Sequence, residues 1–115
     1  MVLLATVISF AQTERLIFNQ INQLRGPKHQ LTYDSAKQKQ VDWYASTNGF
    51  KRMIHSSLNC GEILAGSHTG DDFVQGWLGS PSHKKSIFNK QWKSMACRVV
   101  EIRPGYYQAV VQFFD

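Results

Sequence analysis

The chain has 115 residues, which is the length of one ordinary domain. Its composition, 43% hydrophobic with 18% charged residues, excludes intrinsic disorder. Its longest apolar runs fall short of the roughly 20 residues that a membrane-spanning helix needs. The formal net charge of +5 permits an anionic partner, but the lysines and arginines are scattered in short pairs without a nucleic-acid-binding motif. No specific nucleic-acid site is therefore expected.

Residues 1–12 form an apolar N-terminal segment, MVLLATVISFAQ. Ser9 and Ala11 are small residues of the kind that a signal peptidase reads, but the basic residues that begin most leaders are absent. The segment is interpreted either as the remnant of a leader or as an extension that packs on the core. The folded domain is expected over residues 13–115.

Apolar residues at helical spacing, preceded by capping side chains, predict four helices. They are expected at residues 14–25, 35–46, 71–78 and 81–88. Thr13, Asp34 and Ser80 are the predicted N-caps, and Asn48-Gly49 is predicted to end the second helix. Each helix therefore has both an apolar face and a start signal.

Three strands are predicted from β-type patterning, at residues 60–65, 95–102 and 106–114. Arg103-Pro104-Gly105 reads as a hairpin turn between the last two strands. Because helices come first and paired strands come late, the order predicts an α+β domain with helices packed on a small antiparallel sheet.

Two of the four histidines lie beside predicted structural boundaries. His55 comes before the strand that carries Glu62, and His83 lies in the first turn of the fourth helix. Imidazole and carboxylate groups together can bind a divalent cation. Sequence spacing leaves open whether the three groups meet, and separate surface histidines are the alternative.

Four motifs follow one another along the chain. They are His55-Ser56, Cys60–Gly66, Trp77–His83 and Tyr107–Phe113. In this order they resemble the CAP superfamily, which groups cysteine-rich secretory proteins, antigen 5 allergens and plant pathogenesis-related class 1 proteins. The Ser-Pro-x-His form of the third motif is similar to compact bacterial members. The resemblance runs from about Thr13 to Phe114, and it implies a three-layer α-β-α sandwich.

The family resemblance also implies a cleft with two histidines and two acidic residues. His55, Glu62 and His83 fall on three of those four positions. The fourth position is unmatched, because residues 77–80 contain no acid where many members have a glutamate. With water completing the shell, the three residues could hold zinc rather than magnesium. The alternative is that Glu62 hydrogen-bonds a histidine and ties the sheet to the helices.

Cys60 and Cys97 are the two cysteines of the chain. Secretion, which the resemblance implies, favours a disulfide between them if their strands are neighbours. Two small buried thiols are the alternative.

The resemblance implies a secreted, extracellular binding module that acts at a host, pathogen or cell surface. Its partner would be an unidentified protein, a lipid or an acidic glycan. A protein that binds sterols or fatty acids is the first alternative. A hydrolase that uses His55 or His83 with Ser56 or Ser82 is a weaker alternative, and no catalytic residue is assigned.

Overall fold

The computed structural model describes residues 10–115, with side chains from residue 12 onward. For residues 1–9, the interpretation of the 1–12 segment as a leader remnant or a core extension lies outside the described residues. Within the described part, five helices and four strands follow one another along the chain. They are α1 (Phe10–Arg25), β1 (Thr32–Tyr33), α2 (Ser35–Ala45), α3 (Asn48–Lys51), β2 (Gly61–Ser67), α4 (Phe73–Leu78), α5 (Pro81–Phe88), β3 (Ser94–Arg103) and β4 (Tyr106–Phe114).

The four strands form one sheet in the order β1-β3-β4-β2. The β3–β4 and β2–β4 pairs are antiparallel, and the two-residue β1 runs parallel to β3. The predicted hairpin joins β3 to β4, and Gly105 adopts the positive φ of 78° that its turn requires. In this register Glu62 of β2 lies opposite Gln112 of β4.

Helices cover both faces of the sheet, so the domain has three layers. One face packs against α1, α4 and α5, where Ile17, Trp77 and Ile87 join Val111 in the first core cluster. The other face packs against α2 and α3 in the second core cluster. Alternate residues of each strand enter alternate clusters, as the pleat requires. The predicted α+β fold, with helices on a small sheet, is confirmed.

The predicted helices are present, with differences at their ends. The first helix begins at Phe10, so Thr13 lies inside it instead of capping it. Asp34 caps α2 as expected, and its Oδ1 accepts a hydrogen bond from Lys37 N at 3.0 Å. Ser80 occupies the N-cap position of α5 but makes no side-chain capping bond.

Two short elements were not expected from the sequence. Asn48-Gly49 was predicted to end α2, but α2 already ends at Ala45 with Ser46 as its C-cap. Asn48-Gly49 instead begins α3, because Thr47 caps a new turn by accepting from Phe50 N at 3.2 Å. Strand β1 consists of only two residues, and both are exposed, so it has no alternation of apolar and polar residues to recognise. It exists because β3 lies beside it.

The predicted disulfide is wrong, since Cys60 and Cys97 are both free. Strand β4 lies between the strand that follows Cys60 and the strand that contains Cys97. In addition, Cys97 belongs to the first core cluster, whereas Cys60 packs against the second. Strands that are not neighbours lie about 10 Å apart, and a disulfide needs Cα atoms within about 7 Å. The alternative of two thiols is the one found.

Burial keeps both thiols protonated at neutral pH. Desolvation, reinforced by the charge of Glu62, raises the pKa of Cys60 to about 11. Desolvation also raises the pKa of Cys97, whose sulfur lies 3.6 Å from the Glu14 carbonyl oxygen. A thiol in this state is a poor nucleophile and a poor metal ligand.

Candidate functional site

The candidate site is built around Glu62, a buried carboxylate on a strand. Glu62 and Leu64 point to the same face of β2, and Leu64 is part of the second core cluster. The side chain of Glu62 is only 6% exposed. A buried carboxylate must be hydrogen-bonded to remain ionised, so its partners define what it can do.

Both oxygens of Glu62 accept two hydrogen bonds. Oε1 accepts from His55 Nδ1 at 2.8 Å and from the backbone nitrogen of Ser56 at 2.9 Å. Oε2 accepts from Ser56 Oγ at 2.6 Å and from Gln112 Nε2 at 2.8 Å. These four bonds use the four acceptor positions that a carboxylate offers.

The hydrogen bonds determine the charge state of Glu62. Burial acts to raise the pKa of this carboxyl group, but the bonds from Ser56, His55 and Gln112 together outweigh burial and hold the pKa below its ordinary value. The group is therefore ionised at neutral pH. Since an ionised carboxylate only accepts, His55 donates to Oε1 through Nδ1–H.

The network continues from Glu62 to the helix that covers this face. Gln112 is fully buried in β4, and its Oε1 accepts from Gln40 Nε2 at 2.9 Å. Beside it, Tyr44 of α2 donates its hydroxyl to the carbonyl oxygen of Ile54. Burial, with the charge of Glu62, raises the pKa of Tyr44 to about 12. The site thus joins α2, β2, β4 and the loop after α3.

Two of the three predicted site residues come together. His55 and Glu62 are paired, and the imidazole side chain is 59% exposed. His83 lies on α5, which packs through Ile87 on the first core cluster, whereas Glu62 faces the second. Over residues 10–115, no three His, Cys, Asp or Glu side chains are close enough to hold a metal ion.

The sequence interpretation missed the residues that surround Glu62. Ser56 was considered as a nucleophile and Gln112 as part of a motif, but neither was predicted to donate to the carboxylate. One signal was available: Gln108 and Gln112 interrupt an otherwise apolar strand, and both are buried. A buried glutamine on a strand must find polar partners, so it predicts a polar group on a neighbouring strand.

Residues 12–114 match the cysteine-rich secretory protein family, CAP, which is nearly the whole chain. The chain belongs to the CAP family. A search of curated proteins gives no match for this CAP protein. Its structure is similar to an outer surface protein of Borrelia burgdorferi, with a TM-score of 0.75, 20% sequence identity, and coverage of 92% of this chain and 94% of that one.

The CAP protein is also similar to an extracellular protein containing an SCP domain from Bacillus anthracis. The TM-score is 0.59 at 19% identity, and the match covers 89% of this chain and 40% of the longer Bacillus chain. At these low identities, the structural similarity shows the shared fold alone. Both neighbours are surface or extracellular proteins by description. In the described part of this CAP protein, no helix is both long and apolar enough to cross a membrane.

Proposed function

We propose that this CAP protein is a non-catalytic binding module that acts outside the cell, at a cell or host surface. The family membership and the extracellular setting of both structural neighbours support the location. The occupied carboxylate of Glu62 supports the non-catalytic role. In this proposal the His55–Glu62 pair holds the loop after α3 in place, and the loop presents the contact surface.

The full hydrogen bonding of Glu62 is the observation that carries the proposal. A metal ligand or general base needs a free lone pair, and each acceptor position of this carboxylate already receives a protein donor. A metal ion could bind only after displacing Ser56 or Gln112 from the buried group. This donor set therefore does not fit the zinc site that the family resemblance implied.

A hydrolase has little support from the same geometry. A serine nucleophile needs a histidine base within hydrogen-bond reach. The hydroxyl of Ser56 donates to Glu62 instead, and the hydroxyl of Ser82 lies 3.3 Å from that of Ser80. Among the described residues, no serine is hydrogen-bonded to a histidine ring.

Zinc should leave the melting temperature of the protein unchanged, and His83→Ala should respond to zinc as the wild type does. The reason is that Glu62 has no acceptor position free for the ion. Thermal unfolding in the presence of Zn²⁺ or of a chelator measures this. A zinc-dependent rise in Tm that His83→Ala abolishes would contradict the proposal.

The absence of catalysis can be tested with the same purified protein. Ester and peptide substrates should be turned over no faster than in buffer, and Ser56→Ala should not change that background. Hydrolysis by the wild type that Ser56→Ala or His55→Ala removes would identify an enzyme instead.

Lipid binding is a second candidate function, because a groove of about 470 Å³ lies between α1 and the β1–β3 edge. Its apolar lining includes Phe18, Tyr33 and Met95, while Glu14 and Arg15 stand among its polar residues. This volume and this mixture suit a small amphipathic ligand. A fatty acid with its tail on Phe18 is the occupant we would test first.

A fluorescent fatty acid should bind the wild type in a saturable way and bind Phe18→Ala about fivefold more weakly, as the loss of a large apolar contact predicts. Leu16→Ala is the matched control, because Leu16 lies on the same helix and is 40% exposed but does not line the groove. Equal losses in both variants, or no saturable binding, would remove this candidate.

A further inference from the structure

Five consecutive exposed residues, Lys51 to His55, form a turn at the end of α3. Two cationic side chains, Lys51 and Arg52, are followed by two apolar ones. Met53 is 38% exposed and Ile54 is 51% exposed. We call these five residues the Met53 turn. A surface that places large apolar side chains directly beside cations is a candidate contact site.

The backbone of the Met53 turn is strained. Met53 has a φ of 59°, and it is the single non-glycine residue with positive φ in the described part of the chain. Met53 N donates to Phe50 O at 3.0 Å and Ile54 N donates to Gly49 O at 2.8 Å, which is the pattern of a Schellman helix end. In helix ends of this kind, glycine is the usual residue at the left-handed position, which Met53 occupies here. The methionine side chain at this position therefore costs free energy that glycine would not.

The same turn leaves Ile54 uncovered. In a Schellman ending, the residue after the left-handed position usually packs on a side chain one turn back. The equivalent position here is Gly49, which has no side chain. Ile54 consequently remains half exposed beside Met53.

Buried polar groups anchor the turn from beneath. Gln108 Nε2 donates to Lys51 O at 3.1 Å, and the hydroxyl of Tyr44 donates to Ile54 O. The ring of His55 is held by the buried carboxylate of the candidate site. Because two backbone carbonyl groups and one side chain of the turn are fixed, the apolar side chains cannot turn inward without breaking these bonds. The arrangement is preorganised for an external contact.

The charged residues of the chain segment that contains the turn have one sign. Between Asp42 and Glu62 the sequence contains no acidic residue, and Glu62 itself is buried. We propose that the Met53 turn docks on the surface of an anionic lipid bilayer. Lys51 and Arg52 meet the headgroups, while Met53 and Ile54 enter the apolar boundary beneath them. An anionic polymer would use the cations alone and would leave the apolar pair without a role.

This inference rests on the proposed extracellular binding function and names its partner surface. The test is co-sedimentation of the full chain with phosphatidylcholine vesicles that either contain or lack phosphatidylserine. Binding should require phosphatidylserine and should weaken with added salt. Failure to bind these vesicles would overturn the inference, while the zinc and hydrolysis outcomes would still stand as separate tests of the proposed function.

Met53→Gly separates binding from stability. Glycine adopts the left-handed conformation without strain, so Tm should rise by about 3 °C. Vesicle binding should nevertheless weaken by about fivefold, because the apolar side chain is gone. Ile54→Ser should show the same loss of binding without altering the strained position. Unchanged vesicle binding in both variants would overturn the inference.

A matched pair of charge variants tests the cations. Replacing both Lys51 and Arg52 with glutamine should weaken vesicle binding by about tenfold. The control replaces Lys84 and Lys85, two exposed residues of α5, and removes the same net charge elsewhere. It should change binding by less than about twofold. Equal losses, or binding of heparin in place of vesicles, would show a nonspecific or glycan-directed attraction instead.

Discussion

Glu62→Gln should lower the free energy of unfolding by about 3 kcal/mol, because the amide group of glutamine would face donors that now meet carboxylate oxygens. At least one of the bonds from His55, Ser56 and Gln112 would be lost beneath a side chain that is 6% exposed. Urea unfolding of both proteins measures the difference, and the denaturant dependence should stay constant if only stability changes.

The matched control is Glu101→Gln. Glu101 is exposed on β3 and accepts one long bond of 3.3 Å from Gly105 N. It should change stability by less than about 0.5 kcal/mol. If Glu62→Gln had an effect as small as this control, the buried network would not hold the loop, and the proposed role of Glu62 would fail.

The pH dependence of stability should follow from the same carboxylate. The folded-state pKa of Glu62 lies below its ordinary value of 4.5, because its hydrogen bonds outweigh burial. Its contribution to stability is therefore complete above that ordinary value and is lost as the pH falls through the lower folded-state value. The wild type should lose stability more steeply than Glu62→Gln in that acidic window. Parallel curves would contradict this assignment.

Arg25→Met should lower the free energy of unfolding by about 3 kcal/mol, the second large loss, since four buried or partly buried carbonyl groups lose their guanidinium donor. Arg25, at the end of α1, is 7% exposed. Its donors reach four carbonyl oxygens: His29 at 2.7 Å, Ile87 at 2.8 Å, Asn89 at 2.9 Å and Trp92 at 3.4 Å.

Arg25 therefore joins the end of α1 to the end of α5 and to the approach of β3. A lysine has one ammonium group and lacks the planar set of five donors, so Arg25→Lys should recover only part of the stability. Arg15→Met is the control on the same helix, where the side chain is exposed. Thermal and urea unfolding should rank the four proteins as wild type, Arg15→Met, Arg25→Lys and Arg25→Met. A full rescue by lysine would contradict the role assigned to the planar group.

Local sequence signals predicted much of the fold for identifiable reasons. The capping bond of Asp34, the restart at Ser80-Pro81 and the hairpin glycine at Gly105 act within a few residues of themselves. The patterning of residues 106–114 also predicted strand β4, whose alternate residues Ala109, Val111 and Phe113 lie in the first core cluster. Interactions of this kind can be predicted without knowing where distant chain segments lie.

Predictions that depended on distant contacts were less successful. The pairing of Cys60 with Cys97 assumed that their strands were neighbours, but β4 lies between them. Strand β1 could not be recognised, because its two residues become a strand only beside β3. The candidate site followed the same rule: resemblance to the family singled out His55 and Glu62, but the spacing of residues could not show which groups would fill the carboxylate's four acceptor positions.

The resemblance of four motifs indicated the CAP family, while length, composition and residue patterning predicted a single α+β domain with its main helices and strands. These properties depend on local conformational preferences and on the alternation of apolar residues. The tertiary structure alone separated His83 from the His55–Glu62 pair and surrounded Glu62 with serine and glutamine donors. It also anchored a strained methionine at the surface. Each of these outcomes depends on which strand faces and loops meet in space, because hydrogen bonds form between neighbouring atoms whatever their separation along the chain.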